Sequence, residues 1–204
     1  MFKKFFALLL CTLFMLALSE GTAAGGCKQH GDICDFIETI RCRVSAITTE
    51  SCVGDCTSLE DYVSEILDLV SISKFVMGKH WTTANSNQRQ RFLDAYGAYI
   101  RNAYAAQLRA YAVYHMRIMN TKQIADGRYL TKMRLSDPDN SEDFFILEFH
   151  ILDGRQGLRI VDVKINNTIS LAGSERSAVD SAIKTHGLDN IIQKFEERRH
   201  STRS

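Results

Sequence analysis

The sequence predicts an α+β fold in a single domain, with helices first, then an antiparallel sheet, then two more helices. The first observation is an apolar stripe with the three- and four-residue spacing of one helix face, at Phe92, Tyr96, Ile100, Tyr104, Leu108 and Tyr111. The second is alternation of apolar and polar residues between Tyr114 and Ile165, which is typical of half-buried strands. Helices that precede and follow such a sheet indicate a helical layer packed on one of its faces.

The first 24 residues predict a secretory signal peptide. Lys3 and Lys4 precede an apolar run from Phe5 to Leu18, and small residues follow up to Ala24, where we expect cleavage. The run is too short to span a membrane. The mature chain of about 180 residues is long enough for one domain with a sizeable core.

Charge argues against one class of partner. Removal of residues 1–24 leaves 23 basic and 23 acidic residues. A nucleic-acid-binding protein usually carries a basic stripe, so we expect no nucleic acid partner.

Residues 25–57 predict a Cys-rich N-terminal helix and loop, in which disulfides are expected after export; the five cysteines are Cys27, Cys34, Cys42, Cys52 and Cys56. A helix over 33–48 would separate Cys34 from Cys42 by about 12 Å along its axis, too far for a bond between them. Pairs between helix and loop are the alternative, such as Cys42 with Cys52 or Cys56, and Cys27 with Cys34. The sequence leaves the pairing open, and the odd count leaves one thiol free or intermolecular. No His pair follows at zinc-finger spacing, so no metal is expected.

The long helix is predicted to begin at Asn85 or Ser86, because Gln88 stands where a capping-box partner reaches back. After it, four runs each place apolar residues on one face: Tyr114, Met116 and Ile118; Tyr129, Met133 and Leu135; Phe145, Leu147, Phe149 and Ile151; Val161, Val163 and Ile165. Loops at 124–127, 137–140 and 153–154 make them an antiparallel meander. Two helices are predicted near Glu175–Thr185 and Leu188–Arg199.

The sequence shows no catalytic constellation, and we expect neither an enzyme nor a cofactor. There is no Gly-x-Ser-x-Gly elbow and no His-x-x-x-His pair. His80, His150 and Asp162 are interpreted as structural.

One block of the helical half carries a family resemblance. It reads Asp68-Leu69, Ile72-Ser73, Val76-Met77-Gly78, Trp81, Ala84, Gln88-Arg89, Phe92, Tyr104 and Leu108. This block resembles the signature of the MlaC or toluene-tolerance family, the periplasmic phospholipid-binding component of a lipid ABC transport system. Residues 145–149 and 157–163 resemble its last two strands, although Leu158 stands where the family usually has Trp and 166–168 carry one extra residue. The resemblance covers about Leu59 to Phe195.

The resemblance implies an NTF2-like curved antiparallel sheet packed against several helices, over a lipid-binding domain at 58–204. Alternation alone favours a filled core, but the resemblance implies the opposite, because family members hold phospholipid tails between sheet and helices. The lipid-binding positions expected on this basis are Val76, Trp81, Tyr96, Ile100, Tyr104, Leu108, Met116, Met133, Phe145, Leu147, Phe149, Val161 and Val163. The headgroup is expected at the rim.

The resemblance therefore implies a non-enzymatic periplasmic lipid carrier. It would hold acyl chains in an apolar pocket and shuttle phospholipid between membrane-embedded transport complexes of the inner and outer membrane. The alternatives are a carrier of another apolar lipid such as a hopanoid, an exported enzyme with a pocket between sheet and helices, and a disulfide-stapled module that binds a protein.

Overall fold

The computed structural model describes residues 30–49 and 58–201. The helices are α1 (Gly31–Thr49), α2 (Leu59–Ile66), α3 (Leu69–Met77), α4 (His80–Thr83), α5 (Ser86–Tyr111), α6 (Leu171–His186) and α7 (Leu188–Ser201). The strands are β1 (His115–Ala125), β2 (Arg128–Ser136), β3 (Phe144–Gly154), β4 (Gly157–Ile165) and β5 (Ile169–Ser170). The expected signal peptide at 1–24 and the loop of the Cys-rich segment lie outside the described residues.

Polar caps fix where the helices begin. Asn85 Oδ1 accepts a hydrogen bond from the Gln88 amide at 2.9 Å, and the Asn85 amide donates to Gln88 Oε1 at 3.1 Å. This capping box satisfies two amides that the first turn of α5 leaves without helical partners. Asp68 and Ser170 cap α3 and α6 through their side chains. The predicted start of the long helix is confirmed.

The strands form one antiparallel sheet in the order β1-β2-β3-β4-β5. Met133 pairs with Leu147, and Leu135 with Phe145, so the apolar sets of β2 and β3 share one face. We call this the core face, because Leu135, Ile151 and Met133 are at most 3% exposed there. The predicted α+β class is confirmed.

A β-bulge in β4 interrupts the predicted alternation of this strand. His150 pairs with Asp162, but Ile151 pairs with Ile160, so Val161 is an extra residue without a partner in β3. Ile160 takes the core position and is 2% exposed. Val161, which was predicted to share a face with Val163 and Ile165, is the inserted residue of this bulge and is half-buried.

The connection from β4 to β5 needs two residues with left-handed backbone. Asn166 and Asn167 have φ values of 50° and 59°, which asparagine adopts more readily than most residues. Asn166 Oδ1 also accepts a hydrogen bond from the Ile146 amide at 2.9 Å. The turn thus ties β5 to the sheet immediately before α6 begins.

Helix α1 lies along β1 and β2 on the core face. The His30 ring lies edge-on to Tyr129 with centroids 5.3 Å apart, and Cys34 Sγ is 3.7 Å from Thr121 Oγ1. Cys34 is disulfide-bonded, whereas Cys42 is an exposed free thiol. The predicted pairing of Cys42 with Cys52 or Cys56 is therefore wrong, because the Cys42 thiol is free. The predicted pairing of Cys34 with Cys27 involves a residue outside the described ranges.

The long helix α5 packs against α2, α3 and α7. Its Phe92 and Tyr96 rings stack with centroids 5.1 Å apart, and Phe195 of α7 meets both rings edge-on. Helices α2 and α3 also pack against α5, and α3 packs against α6. Within the described residues, no helix combines the length and apolar character needed to cross a membrane.

Candidate functional site

A small apolar cavity lies between α1, the end of α5 and the core face of the sheet. It measures about 40 Å³ and is lined by Ile37, Ile40, Arg41, Val44, Leu108, Tyr111, Met116, Met133, Leu135, Leu147 and Phe149. We call it the α1 cavity. Arg41 is the charged residue in this lining, and its guanidinium pairs with Glu38 at 2.7 Å. The chemistry of the remaining lining suits hydrocarbon.

Three elements bring these side chains together. Strand register sets Met133 beside Leu147 and Met116 beside Leu135. Leu108 and Tyr111 come from the last turns of α5, three residues apart and therefore on one helix face. Helix α1 supplies the opposite wall.

Five of the expected lipid-binding residues line the α1 cavity: Leu108, Met116, Met133, Leu147 and Phe149. Two more are their neighbours on the core face. The Phe145 ring lies 5.1 Å from the Tyr111 ring, centroid to centroid, and Val163 pairs with Phe149. The apolar residues of the alternating strands and of the α5 stripe therefore meet at the α1 cavity.

The structure places other expected residues away from this cavity. Tyr96 and Ile100 are buried in the α5–α7 core, at 0% and 3% exposure. Burial raises the pKa of Tyr96 and that of the half-buried Tyr104. Trp81 is half-buried between Lys74 and Arg89, each 5.5 Å from its ring. Val76 is buried and lines a cleft between α3 and α6 with Lys79, Arg176 and Asp180.

Sequence reasoning missed the contribution of α1. Ile33, Ile37, Ile40 and Val44 recur at steps of four, three and four residues and are all buried. This spacing is the signal of an amphipathic helix. Burying each such side chain stabilises the fold by about 1.5–3 kcal/mol.

A larger groove lies where the β1–β2 and β3–β4 hairpins turn. It measures about 410 Å³ and is lined by Ser71, Phe75, Ile124, Arg128, Tyr129, His150, Ile151, Leu152, Val161, Asp162 and Ala172. We call it the hairpin groove. Phe75 and Ile124 are about half exposed, so the groove reaches the surface. Its volume falls in the range of about 300–1,000 Å³ typical of ligand sites, whereas that of the α1 cavity does not.

The two spaces lie along the same strands. Tyr129 and Ile151, which pair across β2 and β3, line the hairpin groove, whereas Met133 and Leu147 line the α1 cavity. Four residues of β2 separate them, or roughly 13 Å. Between them stands Thr131, which is 0% exposed and whose hydroxyl lies 3.0 Å from that of Thr121.

The opposite face of the sheet is charged. Glu148 Oε1 lies 3.1 Å from His150 Nε2 and 3.6 Å from Lys164 Nζ, and Glu148 Oε2 lies 3.5 Å from Lys132 Nζ. Burial raises the pKa of Glu148, but His150, Lys164 and Lys132 outweigh it and hold that pKa below its usual value. The described residues contain no group of three or more His, Cys, Asp and Glu side chains suited to a metal ion.

Comparison with known proteins places this chain. No curated protein matches it. A solved structure, the phospholipid-binding protein from Ralstonia solanacearum in complex with a phospholipid, superposes with a TM-score of 0.64 over 85% of this chain and 98% of that chain. Its sequence is 14% identical, so the similarity establishes the fold. The family model described as MlaC protein matches residues 56–197. Because this match spans more than half of the sequence, the chain belongs to the MlaC family.

Proposed function

We propose that this protein is a non-enzymatic periplasmic carrier that holds the acyl chains of a phospholipid between α1, the end of α5 and the core face. It would shuttle the lipid between transport complexes of the inner and outer membrane. The observation that carries the proposal is the convergence of apolar side chains from three elements on the α1 cavity. Family membership and the phospholipid bound by the similar Ralstonia protein support it.

The energetics of transfer explain why such a lining suits a lipid. Each methylene removed from water contributes about 0.8 kcal/mol, so two long chains cannot cross an aqueous space unshielded. The α1 cavity of about 40 Å³ has room for only a few water molecules. Acyl chains therefore enter by separating the layers that line it, and their burial offsets the apolar contacts that α1 gives up.

The hairpin groove is suited to the polar end of the lipid. Arg128 and His150 lie in its lining with the apolar Ile151 and Leu152. A guanidinium is a good partner for a phosphate, which it can bind through two hydrogen bonds. The headgroup would stay in this groove while the chains run along the core face toward the α1 cavity.

The test is lipid content and lipid uptake. Native mass spectrometry of the purified full-length chain should show a bound phospholipid, and delipidated protein should take a fluorescent phospholipid from vesicles. Leu147→Trp fills the α1 cavity and should reduce uptake at least tenfold. Ile146→Trp places the same bulk one residue away, on the opposite face of β3, and should leave uptake unchanged.

Two results would contradict the proposal. One is wild-type protein that neither contains lipid nor takes any from vesicles. The other is an equal loss of uptake in both tryptophan variants when circular dichroism shows both folded, because the site would then not be the α1 cavity.

A further inference from the structure

We infer that α1 is a movable cover over the acyl-chain site: it fills this site when the protein is empty and moves outward to join the hairpin groove to the α1 cavity when lipid binds. The inference rests on the proposed carrier function and adds to it the part of the chain that opens. It concerns a segment that lies outside the family match, which covers residues 56–197.

Helix α1 lies over the path between the hairpin groove and the α1 cavity. His30 contacts Tyr129 at the hairpin groove, Cys34 contacts Thr121 midway, and Ile37 and Ile40 line the α1 cavity. Helix α1 therefore runs above the whole path along the core face from one space to the other. No other described helix contacts β1 as extensively.

Helix α1 buries apolar side chains against the core face. Ile33, Ile37 and Val44 are 1–2% exposed, so their side chains occupy the apolar space above the core face. Ile and Val side chains are hydrocarbon, so the methylenes of an acyl chain can make the same apolar contacts in their place. When a lipid displaces them, the apolar side chains of the sheet and of α5 remain in contact with hydrocarbon.

Helix α1 has few polar attachments to the rest of the described structure. Its polar attachment to α2 is Arg43, whose Nη1 lies 3.0 Å from Glu65 Oε2 and whose guanidinium lies 4.5 Å above the Tyr62 ring. Arg43 and Glu65 are each about half exposed, where ion pairs contribute little to stability. The contact of Cys34 with Thr121 is weakly polar, and the disulfide of Cys34 does not join α1 to residues 58–204, because these contain no cysteine.

A cross-link across this attachment tests the inference. In a Cys42→Ser background, Arg43→Cys with Glu65→Cys joined by a short bis-maleimide fixes α1 to α2. The control joins Asp35→Cys to Thr39→Cys, two exposed positions one turn apart within α1, with the same reagent. Uptake of a fluorescent phospholipid should fall at least tenfold in the α1–α2 link. The control link, and the Arg43→Cys/Glu65→Cys protein before linking, should keep wild-type uptake.

A second measurement needs no cross-link. Nitroxide labels on the native Cys42 thiol and on Ser181→Cys, exposed on α6, report the distance from α1 to the helical body. Phospholipid loading should lengthen or broaden the distance distribution. Labels on Ser181→Cys and Gln193→Cys in the Cys42→Ser background, both away from α1, should show no change.

The outcomes separate the two proposals. If wild-type protein takes up lipid and the α1–α2 link takes it up equally, or if the Cys42 distance is unchanged on loading, α1 is a fixed wall and the inference is overturned while the carrier function stands. If wild-type protein takes up no lipid, the carrier function itself fails and the inference falls with it.

Discussion

Tyr96 shows how a single residue inside the fold can work against stability. It is 0% exposed, its ring is stacked on Phe92, and its hydroxyl has no hydrogen-bond partner among the described residues. Burial raises its pKa, so the phenol stays neutral. A buried hydroxyl without a partner costs about 1–3 kcal/mol. The aromatic packing of α5 and α7 outweighs this cost.

We therefore expect Tyr96→Phe to raise the free energy of unfolding by about 1 kcal/mol, because it keeps the ring and removes the hydroxyl. Urea denaturation measures this. Tyr99→Phe is the matched control, since the Tyr99 hydroxyl interacts with Glu175 and its removal should not stabilise. A Tyr96→Phe protein less stable than wild type would show that the hydroxyl has a partner.

At the scale of elements, local signals were predictable from the sequence and long-range placements were not. The capping box at Asn85 and Gln88 depends on residues three apart, and the alternation of β2 depends on near neighbours. The bulge at Val161 depends instead on how Ile160 meets Ile151 and the backbone of α3, where the Asp68 amide donates to the Ile160 carbonyl at 3.0 Å. No pattern within β4 reveals that partner.

In the candidate site, too, local signals were predictable from the sequence and long-range placements were not. Met133, Leu147 and Leu108 were predictable, because alternation and helical spacing each identify an inward face. The position of α1 was not, because its apolar stripe fits any apolar surface of the fold. Trp81 was expected at the site from resemblance alone, and it lies between two cations instead.

One electrostatic cluster links two elements that the sequence separates by about a hundred residues. Asp180 of α6 lies 2.6 Å from Lys184 Nζ, 2.8 Å from His80 Nε2 and 3.4 Å from Lys79 Nζ. Hydrogen bonds from Lys184, His80 and Lys79 hold the pKa of Asp180 well below its usual value. This carboxylate therefore ties α4 to α6.

We expect Asp180→Asn to lower the thermal midpoint at pH 7, because the cations lose their partner. A depressed folded-state pKa contributes stability above the unfolded value of about 3.9, and this stability is lost as pH falls through the folded pKa. Wild type and variant should therefore converge progressively as pH falls below about 3.9. Asp126→Asn, in the exposed β1–β2 turn, is the control and should match wild type throughout. An Asp180→Asn deficit that persists undiminished at low pH would contradict this account.

At the scale of the whole molecule, the fold places its apolar lining and its charges on opposite faces of one sheet. The core face carries Met133, Leu147 and Phe149, and the other face carries Lys132, Glu148 and Lys164, which pair across the same three strands. If α1 moved away, an acyl chain would meet the core face. The charged face would remain on the other side of the sheet, away from the hydrocarbon. On the proposed opening, an acyl chain would take the place of α1 against the largely apolar core face.

Lipid loading should therefore stabilise the whole domain. A ligand that binds only the folded state raises the free energy of unfolding by about 2.7 kcal/mol at a hundredfold excess over Kd. We expect the denaturation midpoint to rise with the logarithm of phospholipid concentration, measured by circular dichroism. Glycerophosphocholine, which has the headgroup without the chains, should leave the midpoint unchanged, and Leu147→Trp should show a smaller rise than Ile146→Trp. A midpoint that responds to the headgroup alone would locate the binding energy in the hairpin groove rather than on the core face.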